Sequence, residues 1–194
     1  MVRIETERLT LRPFCNADAG EFAYLAGDWV VASMTSDIPY PFSARQAANW
    51  LAPARGEVRF AIERQGRLMG GVGFYRRSSG IAELGFWLGR HWWGQGYTTE
   101  AARAVLAQGI RKRRLPGFSS AHFIDNPASA RVLLKLGFEP MGHATIACAA
   151  RGRDVEAVTY WLDRNQAVRV LPAYARQEAP RSRWRAWLGR SRPV

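Results

Sequence analysis

The chain has 194 residues, enough for one domain and a short tail, and its 47% hydrophobic and 12% aromatic content excludes wholesale disorder. Its charge is lopsided: 28 Lys+Arg against 16 Asp+Glu leave +12, and only Lys112 and Lys135 are lysines. Such an excess predicts anionic partners (phosphate groups, nucleic acid or an acidic membrane surface), although arginine richness arises equally from a GC-rich genome. Cys15 and Cys148 make neither a metal spacing nor a disulfide framework, so a reduced, cytoplasmic compartment is expected. His91, His122 and His143 stand far apart, and no metal site is expected. Met1 to Phe14 has no apolar core of a signal peptide, and no stretch nears the length of a membrane span.

Arg8 to Phe14 alternates apolar and polar residues, the pattern of a half-buried strand. Asn16 and Asp18 suit the cap of a helix running to about Ala26. Met34 to Phe42, with Pro39 and Pro41, must be a loop. Ser43 then starts a second helix with Ala47, Trp50 and Leu51 on one face. Phe60 to Arg64 predicts a short strand, and Arg64-Gln65-Gly66-Arg67 a hairpin turn. Leu68 to Tyr75 and Ile81 to Leu88, joined through Arg76 to Gly80, complete an antiparallel meander.

The period then changes. Ala102, Val105, Leu106, Gly109 and Ile110 mark an amphipathic helix packed on a sheet. Gly117 to Ile124 is a strand, and Asn126-Pro127 opens a helix that Gly137 closes as a left-handed cap. Gly142 to Ala150 and Val155 to Leu162 are the last strands. After Asp163 the apolar pattern thins, and residues 163–194 carry eight arginines against two acids, net +6 of the chain's +12. The expected organisation is a domain over 1–164 and a basic, flexible tail over 165–194. The element order predicts an α/β or α+β mixed sheet with at least one parallel crossover.

The segment Glu83 to Glu100 (ELGFWLGRHWWGQGYTTE) carries the chemistry. A strand ends near Leu88, a turn with Gly89, Gly94 and Gly96 follows, and a helix begins at Thr98 or Thr99. A glycine loop entering a helix N-terminus turns several free N–H groups toward one point, with the helix dipole behind them, and suits a pyrophosphate. It is neither a P-loop, since no Gly-Lys-Ser/Thr follows, nor the dinucleotide fingerprint, since Thr99 occupies the third glycine position.

Trp93-Gly94-Gln95-Gly96-Tyr97-Thr98-Thr99-Glu100-Ala101 resembles the acetyl-CoA-binding motif of the GNAT acyltransferase superfamily. Asn126-Pro127-Ala128-Ser129-Ala130-Arg131-Val132-Leu133, ending in Lys135-Leu136-Gly137-Phe138, resembles its next motif. Thr6-Glu7-Arg8-Leu9-Thr10-Leu11-Arg12-Pro13-Phe14 and the loop Ile38-Pro39-Tyr40-Pro41-Phe42 are similar to the subgroup of the ribosomal-protein N-acetyltransferases RimJ and RimL. Together these span residues 6 to about 164. The resemblance implies a mostly antiparallel mixed sheet flanked by helices, with one parallel crossover at the acetyl-CoA site. It implies an N-acetyltransferase that uses acetyl-CoA and a primary amine, either a protein N-terminus or a small molecule.

On the same resemblance, the pantetheine arm lies along main-chain groups of Phe86, Trp87 and Leu88. The pyrophosphate sits on amides from His91 through Gly94, Gln95, Gly96 and Tyr97 to Thr98. Asn126 faces the pantetheine or the acceptor, and Arg131 either reaches the CoA phosphates or stands on a solvated helix face. The chain departs from the family in two places. His91 stands where Arg or Gln is usual. Leu133 stands where many members carry a tyrosine that protonates the leaving thiolate, and Ser129, one turn earlier, is the substitute in RimL-type sequences. A thiol of pKa about 8.5 is a tolerable leaving group in either case.

Acetylating an amine needs it neutral, and an alkyl ammonium is mostly protonated at neutral pH. Glu83 shares a strand face with Gly85 and Trp87 just before the cofactor loop, so it is placed either as general base or as an ordinary solvated strand residue. Glu100, in the first turn of a helix, complements the dipole. A main-chain N–H near Leu88 can meet the oxyanion. Trp92 and Trp93 read as packing, whereas Trp87 and Tyr97 are candidates for the acceptor cleft. The segment Met34 to Phe42 is a candidate lid whose Asp37 and Tyr40 select the amine. The competing reading is a ribosome- or RNA-associated binding module on the same fold, using the basic tail. In that tail Arg183 to Arg190 mixes arginine with tryptophan, as does a surface-binding segment or a solvated tail.

Overall fold

The computed structural model describes residues 3–52, 56–76, 81–113 and 115–171. The expected Arg76–Gly80 connection therefore falls almost wholly outside the described residues, as do residues 172–194. The elements are β1 (Ile4–Glu5), β2 (Thr10–Arg12), α1 (Ala19–Ala26), α2 (Trp29–Ala32), α3 (Ala44–Leu51), β3 (Glu57–Arg64), β4 (Arg67–Arg76), β5 (Ala82–Leu88), α4 (Tyr97–Arg113), β6 (Gly117–Phe123), α5 (Pro127–Lys135), β7 (Glu139–Cys148), β8 (Arg153–Asp163) and α6 (Arg164–Val170). Short 3₁₀ turns cover Asn16–Asp18 and Arg90–Trp92.

The strands form one eight-stranded sheet in the order β1-β2-β3-β4-β5-β6-β8-β7. Every neighbouring pair is antiparallel except β5–β6, which α4 joins as a parallel crossover. The mixed, mostly antiparallel sheet with one crossover is the architecture expected from the sequence. The Arg64–Arg67 hairpin is also as expected: Gln65 and Gly66 have φ of 52° and 78°, the two positive values of a type I′ turn.

Alternation along the strands divides the core. Phe60, Ile62, Val72, Leu84 and Leu88 face α4, whose Ala101, Ala102, Val105 and Leu106 are buried against them. Residues of opposite parity, Ala61 and Trp87, join Leu68 in meeting α1 and α3 through Phe22, Leu25, Ala47 and Leu51. Each fully buried Leu or Phe contributes about 1.5–3 kcal/mol, so these two layers hold the sheet rigid beneath the loops at its end. Gly137, with φ 86°, ends α5 as the left-handed cap, and the Phe138 amide reaches back to the Leu133 carbonyl at 3.1 Å.

Three elements were not anticipated from the sequence. β1 and α2 hold two and four residues, too short to show a period. α6 lies where the apolar pattern thins: the packed chain continues past 164 to Leu171, which is buried along with Ala167. It is held by polar ties that no hydropathy pattern displays. Asp163 accepts from the Asn165 amide at 2.7 Å, and Arg164 donates to the carbonyls of Ile110 and Leu115 at 3.2 and 3.1 Å.

Candidate active site

The site begins where β5 and β6 part. Their ladder covers only Ala82–Phe118 and Glu83–Ser119. Beyond it, Ser120 Oγ donates to the Leu84 carbonyl at 3.0 Å, so main-chain groups of Leu84 face the β6 side. By strand alternation those of Phe86 and Leu88 face the same gap. The Leu88 carbonyl accepts from the Trp93 indole at 2.6 Å, and the Gly89 amide donates to the Met69 carbonyl at 2.8 Å. Phe86 thus opens onto the gap, as does the Leu88 amide, whereas the Leu88 carbonyl and the amide of the next residue, Gly89, are already engaged.

The glycine loop follows. Gly94 and Gly96 take φ of +75° and +80°, values that a side chain would strain, and nothing lies within 4 Å of where a Cβ on Gly94 would stand. α4 begins at Tyr97, one residue earlier than expected, with Glu100 N–H donating to the Gly96 carbonyl at 3.1 Å. The amides of Tyr97, Thr98 and Thr99 precede that first helical bond and have no intrahelical acceptor. The loop is therefore shaped for an anion at the positive end of a 17-residue helix. His91 is exposed, and its carbonyl lies 3.4 Å from Gln95 Nε2.

A cleft of about 630 Å³ adjoins the gap. It brings together Glu83, Phe86, Trp87, Ser129 and Asp37 of the residues singled out from sequence. Glu83 is half-buried, opposite Tyr75 on β4. Ser129 is half-buried in the first turn of α5. Met34 to Ile38 line the cleft, but Tyr40 does not: it is 51% exposed and meets the Trp29 ring edge-on at 5.1 Å. Tyr97 is buried beneath two guanidiniums, Arg8 at 4.5 Å and Arg64 at 5.4 Å, and does not line the cleft. Asn126 caps α5 by accepting from the Ser129 amide at 3.1 Å, which leaves its NH₂ as the group able to meet a ligand. Arg131 is exposed on α5.

Two features were missed from sequence. His122 lines the cleft; its Nδ1 lies 2.7 Å from the Phe123 carbonyl and its Nε2 3.2 Å from Tyr160 Oη. Both ring nitrogens of His122 thus have hydrogen-bond partners, and Glu83 is a carboxylate that shares the cleft with it. Alternation along β6 was the only available signal for His122. The second is the set of partners of Glu100, expected only to complement the helix dipole: 8% exposed, its carboxylate accepts from Thr6 Oγ1 at 2.6 Å, the Arg8 amide at 2.8 Å and Arg8 Nε at 2.7 Å. Burial alone would raise its pKa, but these hydrogen bonds outweigh it and hold the carboxyl below its ordinary value. The opening motif, from Thr6 to Arg8, is therefore a clamp on the glycine-loop motif that contains Glu100. Among the described residues, no three His, Cys, Asp or Glu side chains converge as a metal set, and no helix is long and apolar enough to cross a membrane.

A strand that parts from its neighbour, a glycine loop and a helix N-terminus are thus arranged beside a cleft with a carboxylate. The sequence profile of the acetyltransferase (GNAT) domain matches residues 8–139, which include all of these parts. The chain belongs to the GNAT acetyltransferase family. It is 32% identical over 149 residues to the uncharacterized N-acetyltransferase YoaA of Bacillus subtilis (strain 168), a match covering 72% of this chain and 84% of that one. The fold superposes on RimL, the ribosomal L7/L12 α-N-protein acetyltransferase in complex with coenzyme A, with a TM-score of 0.75 at 19% identity, over 85% and 99% of the two chains. It superposes on spermidine N-acetyltransferase from Vibrio cholerae, in complex with CoA and spermine, with a TM-score of 0.71 at 19% identity, over 83% and 98%. As a GNAT acetyltransferase, the protein is an acyltransferase whose acetyl donor is acetyl-CoA.

Proposed function

We propose that this GNAT protein N-acetylates a primary amine by direct attack, with Glu83 as general base and Ser129 as the thiolate's proton donor. The observation that carries this reading is the placement of both side chains in one cleft beside the β5–β6 gap. On it, the pantetheine arm lies along Phe86 and the diphosphate on the amides from Gly94 to Thr98. Glu83 takes one proton from the ammonium, and the neutral amine attacks to form the C–N bond. As the C–S bond breaks, the nitrogen sheds its second proton to solvent and the thiolate collects a proton through Ser129, which regains one from solvent. The RimJ/RimL-like subgroup is supported by the opening motif and the Ile38–Phe42 loop.

The fold does not choose the acceptor, since the superposable enzymes include one for a ribosomal protein and one for spermidine. A screen of peptide N-termini and polyamines with labelled acetyl-CoA identifies it. With an acceptor in hand, Glu83→Gln should bind acetyl-CoA as the parent does and lose about 10²-fold or more in turnover. Unchanged turnover removes Glu83 from the chemistry.

A further inference from the structure

We infer that Arg8, far from the glycine loop in sequence, is the positioning residue that aims the loop's amides at the diphosphate of CoA. The inference rests on the reading of that loop as the diphosphate site. Arg8 bridges two parts of it: Nε donates to Glu100 in the first turn of α4 at 2.7 Å, and Nη1 donates to the Gln95 carbonyl at 3.0 Å. Its guanidinium lies over the Tyr97 ring at 4.5 Å, and Nη2 stands 3.6 Å from where a Cβ on Gly96 would be. The Arg8 backbone is itself fixed, because its amide and Thr6 Oγ1 both donate to Glu100.

The consequence lies in one peptide plane. The Gln95–Gly96 peptide adjoins Gly96 and lies one residue after Gly94, both at positive φ, and glycines allow so many backbone conformations that they do not fix its orientation by themselves. A trans peptide points its C=O and N–H in opposite directions. Holding the Gln95 carbonyl toward Arg8 therefore turns the Gly96 N–H the other way, toward the open side of the loop. Arg8 acts through this peptide rather than on the ligand. It also anchors the helix end whose free amides complete the anion site.

Calorimetric titration with CoA and with pantetheine, which lacks the diphosphate, tests this without an acceptor. The parent should prefer CoA strongly. Arg8→Gln should weaken CoA about tenfold, the loss of roughly one charge-assisted hydrogen bond, and leave pantetheine unchanged. Arg8→Lys should keep most of that deficit, because one ammonium cannot bridge Glu100 and Gln95 together. Equal losses for both ligands would make Arg8 a general fold determinant, and full recovery in Arg8→Lys would make it a simple attracting charge; either overturns the inference. A parent that binds both ligands alike removes the diphosphate site itself and the inference with it. If Arg8→Gln fails to fold, Glu100→Gln, which weakens the same bridge from its other end, is compared in the same two titrations.

Discussion

At the scale of single residues, the buried ion pairs decide more than the sequence announces. Asp18 reads as a helix cap, yet its carboxylate serves Arg12, which donates to it through Nη1 and Nη2 at 2.8 Å each and to Glu63 through Nε at 2.5 Å. Asp18 is 7% exposed, and burial pushes its carboxyl up. The hydrogen bonds from Arg12 and Cys15 together outweigh burial, so the folded pKa lies below the ordinary value. The stability this contributes is present above the unfolded pKa of about 3.9 and disappears as pH falls through the lower folded value. Asp18→Asn should therefore cost about 1–3 kcal/mol at neutral pH, and its urea midpoint should approach that of the parent in acid. A gap that stays constant down to that range would place the cost in packing rather than charge. Strand pairing brings Arg12 beside Glu63, 51 positions away, and the start of α1 brings Asp18 to the same guanidinium. The residue types were legible in the sequence; the partners were not, because only the assembled sheet and helix create them.

At the scale of elements, length and period set what could be read. α4 was legible because its apolar stripe runs through most of 17 residues, and the β3–β4–β5 meander because its strands alternate between explicit turns. α2 and α6 offer too few residues for a period. Gly109 shows what the period conceals. Propensity says that alanine in a helix interior gains about 1 kcal/mol over glycine. Here a Cβ would stand 2.8 Å from Phe118 Cζ and 3.2 Å from Phe74 Cε1, two rings packed edge to face at 5.7 Å in the core. Phe118 is fully buried and cannot retreat, so overpacking costing about 1–3 kcal/mol should prevail. Gly109→Ala should lower the melting temperature; a rise would show that α4 can lift from the sheet. The candidate site divides along the same line. The glycine loop and the β5 carboxylate were visible as local patterns, while His122, the Arg8 bridge and the separation of Tyr40 from the cleft needed the strands and loops in place.

At the scale of the molecule, fold and excess charge can be separated by two truncations. Leu171 is 2% exposed and Ala167 fully buried, both in the main core, and Arg164 ties the start of α6 to the end of α4. Ending the chain after Asp163 removes all three, a loss of about 3 kcal/mol from burial alone, and should lower the melting temperature by roughly 6–12 °C. Ending it after Leu171 removes none of them. It does remove six arginines and one glutamate, taking the net charge from +12 to +7. The longer truncation variant should melt as the full chain does and bind CoA as tightly, because the glycine loop, its Arg8 bridge and the cleft all lie within residues 6–171. If residues 172–194 contribute contacts to RNA phosphates, its RNA affinity should fall, and with a shallower dependence on salt, since each lost phosphate contact lowers the slope by about one. An RNA affinity and salt slope equal to those of the full chain would assign any nucleic-acid binding to the domain. A melting temperature lowered as far as in the shorter variant would show that residues beyond Leu171 are needed for the fold.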